Sequence, residues 1–350
     1  MREGDLIKTE SIRGKTSFKT KVSIVMACYN AAEYLDQAIK SILHQTLTDF
    51  DFIIVDDASN DKTAEIIKSY AARDQRIVFC AQQENKGPAL ARNSGIKLAR
   101  GQWIAILDSD DIALPERLEN QIIAVEKESD IIMLGSDAFS IDSAGSILKR
   151  HRYPSTDAAL KKRLHRIKSF PPHSSILYST EEVKRVGGFN PRFIQSEDWD
   201  LWLRLAGNGK IACLNKPLVM LRRHTRNMSH DNRGMTQMLT GAAAVTCHFI
   251  RTKGSADPSR QGEGDWYRFV QWLSLRLDAY GFFERLQEFA QIRQIYNFSE
   301  NKLQGLLQVI AHIVSSRHAP RMVRDIFQGT NLYARLADEW VKRIEMGSIA

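Results

Sequence analysis

Four short, largely apolar runs, each followed at once by polar or small residues, constrain this chain more than any other feature. They are Val22-Ser23-Ile24-Val25-Met26-Ala27, Phe52-Ile53-Ile54-Val55, Ile77-Val78-Phe79-Cys80 and Trp103-Ile104-Ala105-Ile106-Leu107. Runs with no polar alternation suit strands covered on both faces, which is the condition of a parallel sheet. Helical spacing fills the gaps between them: Leu35, Ala38, Ile39, Ile42 and Leu43 after the first, Ile66, Ile67 and Tyr70 after the second, with Asp61 as N-cap. Leu90, Ala91, Ser94, Gly95 and Leu98 follow the third, behind Asn85-Lys86-Gly87-Pro88. Such alternation predicts an α/β fold with a parallel sheet and helices on both faces.

Acidic residues gather where two of these runs end. Asp56 and Asp57 follow the second, and Asp108-Ser109-Asp110-Asp111 follows the fourth. Open α/β sheets bind ligands at the carboxyl ends of their strands. Carboxylates this close repel unless a cation lies between them or one takes a proton. A divalent cation held by two or three oxygens keeps positions for phosphate oxygens. A polar turn accounts for the same run, with Asp111 capping a helix behind Leu114-Pro115-Glu116, since Pro suits a first helical turn. The run alone does not separate these readings.

The wider pattern adds a resemblance. Ser23-Ile24-Val25-Met26-Ala27-Cys28-Tyr29-Asn30, Val55-Asp56-Asp57-Ala58-Ser59, Asn85-Lys86-Gly87-Pro88-Ala89-Leu90-Ala91-Arg92-Asn93 and Leu107-Asp108-Ser109-Asp110-Asp111 stand in order. Val186-Gly187-Gly188-Phe189 and Ser196-Glu197-Asp198-Trp199-Asp200-Leu201-Trp202-Leu203-Arg204 continue the series. Over about residues 20 to 225 the chain resembles the family 2 glycosyltransferases. The resemblance implies an α/β GT-A nucleotide-diphospho-sugar transferase fold with a mostly parallel central sheet, and an inverting, non-processive transfer of one sugar. Processive members carry membrane helices and a Gln-x-x-Arg-Trp block, both missing here.

By the same resemblance Cys28, Tyr29 and Asn30 border the nucleotide, Asp57 accepts from the nucleobase, and Arg92 meets the nucleotide or its diphosphate. In the Asp-x-Asp motif of Asp108, Ser109 and Asp110, Asp110 is the direct ligand of Mn2+ or Mg2+, with Asp108 near the ribose or reaching the metal through water. Asp198 matches the general base, and a helix starting near it is expected to lower its pKa and keep it ionised. His173 and Glu197 fall on the acceptor side, and Arg223 and His224 resemble a polar flap over the diphosphate. A lone histidine is more often structural, which is the reading preferred for His173, whereas arginines crowd His224.

At 350 residues and 43% apolar content the chain can bury a large core and a smaller one. The expected division is a flexible segment at 1–20, a GT-A domain at 21–230 and an α-helical domain at 231–350. No run approaches a membrane span, and Met1-Arg2-Glu3-Gly4-Asp5 lacks an apolar signal core, so the expected location is cytoplasmic. Cys28, Cys80, Cys213 and Cys247 lack metal-ligand spacing and read as reduced thiols.

The net charge of +8 is partly local, because residues 149–168 hold eight lysines and arginines against Asp157 alone. A solvated face is the default, and attraction to an anionic membrane leaflet or a pyrophosphate-linked acceptor is the functional reading. Nucleic acid is not expected, since too few aromatic residues stand among the basic ones.

Helical stripes dominate beyond residue 232. Trp266, Phe269, Val270, Trp272, Leu273, Leu275 and Leu277 predict a largely buried helix; Leu303, Leu306, Leu307, Ile310, Ile313 and Val314 a second; and Leu332, Leu336, Trp340 and Ile344 a third. The Gly-rich stretch at 254–264 reads as a mobile loop. This tail suits a cover for the acceptor cleft, a homo-oligomer interface or a docking module.

Taken together the sequence reads as a metal-dependent transferase moving a sugar from a nucleotide-sugar donor, by family frequency a UDP-sugar. The acceptor is the hydroxyl of a glycan or lipid-linked molecule in cell-envelope polysaccharide synthesis. A nucleotidyltransferase is the nearest competitor but lacks its Gly-rich basic signature here. Asp57, Asp108, Asp110 and Asp198 weigh against a non-catalytic scaffold.

Overall fold

A computed structural model describes residues 20–224, 234–282 and 331–346. Its first elements follow the expected alternation: β1 (Val22–Cys28), α1 (Leu35–Leu43), β2 (Phe50–Asp56), α2 (Thr63–Ala71), β3 (Ile77–Ala81), α3 (Pro88–Leu98) and β4 (Trp103–Ile106). These four strands pair in parallel in the order β3-β2-β1-β4. All seven residues of β2 are buried, which is why it carries no polar alternation. Helix α1 turns Leu35, Ala38, Ile39 and Ile42 inward, as their spacing requires. Gly95 lets α3 lie close on β1, because a Cβ there would stand 2.5 Å from Val25 Cγ1. Asp61 takes the Thr63 N–H at the start of α2 on Oδ1 (2.9 Å) and the Ala32 N–H on Oδ2 (3.2 Å), so it also ties down the loop before α1.

The sheet then turns antiparallel. After β5 (Ile112–Ala113), α4 (Arg117–Lys127), β6 (Ile131–Ile141), β7 (Ile147–His151) and α5 (Asp157–Leu164), strand β8 (Leu177–Ser179) inserts antiparallel between β4 and β6. Helices α6 (Thr180–Arg185) and α7 (Glu197–Ala206) lead to β9 (Lys210–Arg222), which runs parallel to β6 and antiparallel to β5, while β7 pairs with the other edge of β6.

The sequence suggests a strand at Ser174-Ser175-Ile176-Leu177-Tyr178, but the chain makes a 3-10 turn at His173–Ser175 before β8. Both the N–H and the hydroxyl of Ser175 bond to the Pro172 carbonyl at 2.8 Å, which bends the backbone away from extension. Arg117, fully buried at the start of α4, donates from Nη2 to the carbonyls of Ile106 (2.9 Å) and Ile176 (3.3 Å), and so clamps the end of β4 to this turn.

Three distant sequence blocks meet at Gly187-Gly188-Phe189. Asn93 on α3 donates from Nδ2 to the Phe189 carbonyl (2.7 Å) and accepts the Phe189 N–H on Oδ1 (2.8 Å). Arg204 on α7, paired with Asp200 at 2.7 Å, donates to the carbonyls of Val186 (2.8 Å) and Gly188 (2.7 Å). Gly188 has φ +68° and no room for a side chain, since a Cβ would fall 2.4 Å from Asn93 Oδ1. Gly188→Ala combines a left-handed penalty with the loss of the Asn93 pairing, an expected destabilisation of about 3 kcal/mol, read from the denaturation midpoint.

The chain divides into two compact units, one ending at Gly241 and the other beginning at Ala242, inside α8 (Gly234–Thr252). In the second unit α9 (Glu263–Ala279) buries Phe269, Leu273 and Leu277 but leaves Leu275 72% exposed. The expected largely buried helix is therefore an amphipathic one with a single stripe. Helix α10 (Leu332–Glu345) buries Tyr333, Leu336, Ala337 and Trp340, and the Trp340 ring meets Phe269 edge-on at 5.0 Å.

The Gly-rich stretch holds an ordered 3-10 turn at Pro258–Arg260 rather than loop throughout. Asp257 accepts the Ser259 N–H at 2.9 Å and pairs with Arg251 at 2.6 Å. The stripe from Leu303 to Val314 and the segment at 1–19 lie outside the described residues. Among the described residues no helix is long and apolar enough to cross a membrane.

Candidate active site

The carboxyl ends of β1, β2 and β4 open into one cleft of about 770 Å³, closed by the start of α7 and the end of β9. Cys28, Tyr29, Asn30, Asp57, Arg92, Asp108, Ser109, Asp110, His173, Glu197, Asp198, Arg223 and His224 all border it. The sequence-predicted residues thus converge, although the work several of them do differs from expectation.

At the first loop Asn30 adopts φ 49°, donates its N–H to Ser59 Oγ (2.9 Å) and takes the Asn60 N–H on Oδ1 (3.0 Å). This joins the loops after β1 and β2. Asp57 spends one lone pair of each oxygen on the backbone, taking the N–H of Lys86 (2.9 Å) and of Gly87 (2.8 Å). It therefore holds the loop before α3, and its remaining lone pairs are what a base edge could meet. Burial nonetheless pushes its pKa above the usual carboxylate range. Burial likewise raises the Cys28 thiol, so it is no nucleophile.

Arg92 is no surface residue. It borders the cleft but is buried, donating from Nη1 to Glu197 Oε1 (2.8 Å) and from Nη2 to Asp108 Oδ1 (3.0 Å). The guanidinium bolts the end of β4 to the first turn of α7, and Glu197, which borders the cleft, is its buried ion-pair partner. Arg92→Ala would strand Glu197 as an uncompensated buried charge, an expected cost of about 3 to 5 kcal/mol in a denaturant titration.

Asp108, Asp110 and Asp111 divide by environment. Burial would raise Asp108, but the Arg92 guanidinium 3.0 Å away outweighs it and holds its carboxyl below the usual range. Burial and the Asp108 charge push Asp110 up, and its Oδ2 lies 3.0 Å from His224 Nε2. Asp111 is not the helix cap that its position suggests. It is buried, accepting the Ser174 hydroxyl (2.5 Å) and the Arg222 N–H (2.9 Å), because β9 needs an acceptor where it passes the end of β4. Both of its oxygens are so used, and burial and its acidic neighbours drive its pKa well up.

Asp198 also corrects an expectation. As the second residue of α7 it sits at a positive helix end, yet burial and the Glu197 charge raise its pKa to about 7 against the pull of Arg92. A helix dipole screened by one turn is the smaller effect beside desolvation. His173 is held neutral, its pKa lowered to about 3 by burial and Arg92, and its ring packs edge-on against Phe189 at 5.5 Å.

Of the arginines near His224, Arg222 turns inward. Its Nε donates to the Asp110 carbonyl (3.0 Å) and its Nη2 to Gln37 (2.7 Å), with the guanidinium 4.6 Å from the Tyr34 ring. Arg223 stays exposed, and Arg226 lies outside the described residues. Sequence reasoning missed Tyr34, whose ring stacks on His224 at 4.9 Å, and Ser174, whose hydroxyl accepts the Asp108 N–H at 3.1 Å. Neither carries a motif signal: one is a loop aromatic and the other half of a Ser pair.

The family model for glycosyl transferase family 2 matches residues 23–187. An uncharacterized glycosyltransferase of Methanocaldococcus jannaschii is 41% identical over 192 residues, covering 54% of this chain and 66% of that protein. The putative glycosyltransferase EpsE of Bacillus subtilis is 33% identical over 197 residues, covering 54% and 68%. Several further curated relatives are matched over only about a third of their length.

Among solved structures, S. aureus TarS 1-349 in complex with UDP-GlcNAc superposes with a TM-score of 0.56 at 20% identity, covering 66% of this chain and 67% of that one. The mannosyltransferase PcManGT from Pyrobaculum calidifontis, in complex with GDP-Man and Mn2+, gives 0.52 at 15% identity, covering 92% and 87%. The half-parallel sheet with acids at its carboxyl edge is thus a GT-A fold with an appended helical unit. The chain belongs to glycosyltransferase family 2.

Proposed function

We propose that this cleft transfers one sugar, with inversion, from a nucleotide-diphospho-sugar to a hydroxyl of a glycan or lipid-linked acceptor in cell-envelope polysaccharide synthesis. The observation that carries the reading is that Asp57, Asp108, Asp110 and Asp198, far apart in the chain, border one cleft. Nucleotide sugars in two structural neighbours support the donor class, and family frequency favours UDP.

The chemistry assigned to this chain's residues is short. Asp198 takes the proton of the attacking hydroxyl as the oxygen bonds to the anomeric carbon and the bond to the diphosphate breaks on the opposite face. A base with a pKa near 7 is half ionised at neutral pH and still basic enough to accept that proton. Arg92 and Glu197 fix the turn that carries it. Asp57 and the loop it holds border the base.

The donor set fits Mn2+ or Mg2+. The raised pKa of Asp110 marks a carboxyl short of positive charge, and His224 Nε2 lies beside it. Among the described residues no group of three or more His, Cys, Asp or Glu is arranged as a complete metal cage, so the set suits an ion shared with the substrate. Asp110 would hold it with His224, Asp108 standing close by, and when bound it would neutralise charge on the departing diphosphate.

Turnover is expected to rise about tenfold per pH unit below 7 and to level above it, since only the ionised Asp198 accepts a proton. Burial sets that value first, followed by Glu197, Arg92, the Trp199 N–H and Asp108. Initial rates across pH 5 to 9 at saturating donor check this, and a flat profile would contradict the assignment. Donor identity is tested by melting the protein with a panel of nucleotide sugars, with and without Mn2+, because a ligand that binds only the folded state raises the melting temperature. A panel in which none shifts the transition would overturn the reading.

A further inference from the structure

The basic run at 149–168 begins on β7, an edge strand whose register points back to the cleft. Lys149 pairs with Ser140 and His151 with Ala138 on one side of β6, while Ser140 and Ala138 pair with Leu221 and Val219 of β9 on the other. Residues in one row across a sheet share a face, so Lys149 and His151 lie on the face of Leu221. Two residues further on the same face comes Arg223, whose N–H continues the ladder to the Ile141 carbonyl at 2.8 Å. Leu221 and Arg223 both border the cleft. From the cleft residues of β9 the same sheet face runs across β6 to β7.

Electrostatics agree with this register. After burial, the groups that depress the His151 pKa are Arg223 and Lys149, and Tyr153 lies within the fields of Arg223 and Arg163. Asp137, whose charge also reaches Tyr153, is buried and already taken by Arg150 (3.0 Å) and by the Tyr153 N–H (3.1 Å). Among the described residues no carboxylate lies within ion-pair distance of Lys149 or Arg223, while Arg163 donates to the Ser169 carbonyl at 2.8 Å. Lysine on an edge strand is a common guard against pairing, which accounts for Lys149 by itself. It does not account for cations from β7 and β9 standing on one sheet face with His151 in the field of both.

We propose that Lys149 and Arg223 form a subsite for the phosphate group of an anionic acceptor, on the face that runs from the cleft past the flap. It rests on the transferase reading only for the word acceptor; the anion site stands on the register and the unpaired charges. A guanidinium fork with a flexible ammonium suits phosphate oxygens, whether these belong to a lipid headgroup or to a soluble phosphate-bearing molecule.

The full chain is titrated calorimetrically with inorganic pyrophosphate in EDTA, so that no metal-assisted binding at Asp110 contributes. Lys149→Glu with Arg223→Glu, both exposed positions, is expected to weaken binding at least about tenfold. Sedimentation with phosphatidylcholine vesicles, with and without phosphatidylglycerol, separates the sources. Capture by the anionic vesicles that the double variant loses assigns the site to a lipid headgroup. Pyrophosphate binding without capture assigns it to a soluble phosphate.

Equal pyrophosphate affinity in the two proteins overturns the proposal, as does the absence of both pyrophosphate binding and anionic capture in the unaltered chain. Melting each protein with nucleotide sugar and Mn2+ is the parallel control. Failure there counts against the transferase reading and leaves the anion result intact.

Discussion

Asp198→Asn is expected to cut turnover about 10²- to 10⁴-fold while changing donor affinity by less than about twofold, the signature of a lost proton acceptor. The amide keeps the size of the carboxyl and can still accept the Trp199 N–H, which Asp198 Oδ1 now takes at 2.7 Å. A structural defect can therefore be told from a chemical one. The two proteins should also differ in stability with a definite sign.

The folded-state pKa of Asp198, about 7, lies above its ordinary value of 3.8, so folding holds a proton that the unfolded chain releases in between. The native protein thus loses stability as pH rises from about 4 to 7, and Asn at this position does not. Asp198→Asn is expected to melt higher than the unaltered protein above pH 7, with the gap closing toward pH 4. A variant that loses activity and melts lower at pH 8 would mean that Asp198 holds the fold and does not take the proton.

Asp110→Ala carries the second large effect. Taking away the carboxyl beside His224 removes the oxygen donor proposed for the metal, and turnover is expected to fall about 10³-fold, the loss of roughly 4 kcal/mol of charge stabilisation. The Mn2+-dependent part of the nucleotide-sugar melting shift should vanish with it. Melting without ligand should move little, because the Asp110 side chain is over a quarter exposed, unlike Asp111. Asp111→Ala is the contrasting variant: it removes the acceptor for Ser174 and for the Arg222 backbone, so it is expected to damage folding before chemistry.

Much of this site could be read without coordinates because its parts lie at strand ends. A strand buried on both faces must be apolar along its length, so its last polar residue marks the carboxyl edge where parallel sheets bind ligands. Asp57, Asp108 and Asp110 were legible for that reason, and Asp198 through the block that contains it. The duties of Arg92 and Asp111 were not, since each depends on a partner far along the chain. Arg92 meets Glu197 across 105 positions, and Asp111 receives the Arg222 N–H across 111. Local pattern carries no trace of such pairings: an Arg on a helix and an Asp in a turn look alike whether solvated or buried.

Sequence by itself determined the alternation of strand and helix, the family and which acids stand at the sheet edge, because periodicity and polarity are local properties of the chain. Tertiary structure alone decided which of those acids are spent on the backbone, which is bolted to Arg92, and that Asp198 sits near pH 7 instead of below 4. Burial and neighbouring charge set a carboxyl's proton affinity, and both come into being only when the chain has closed around it.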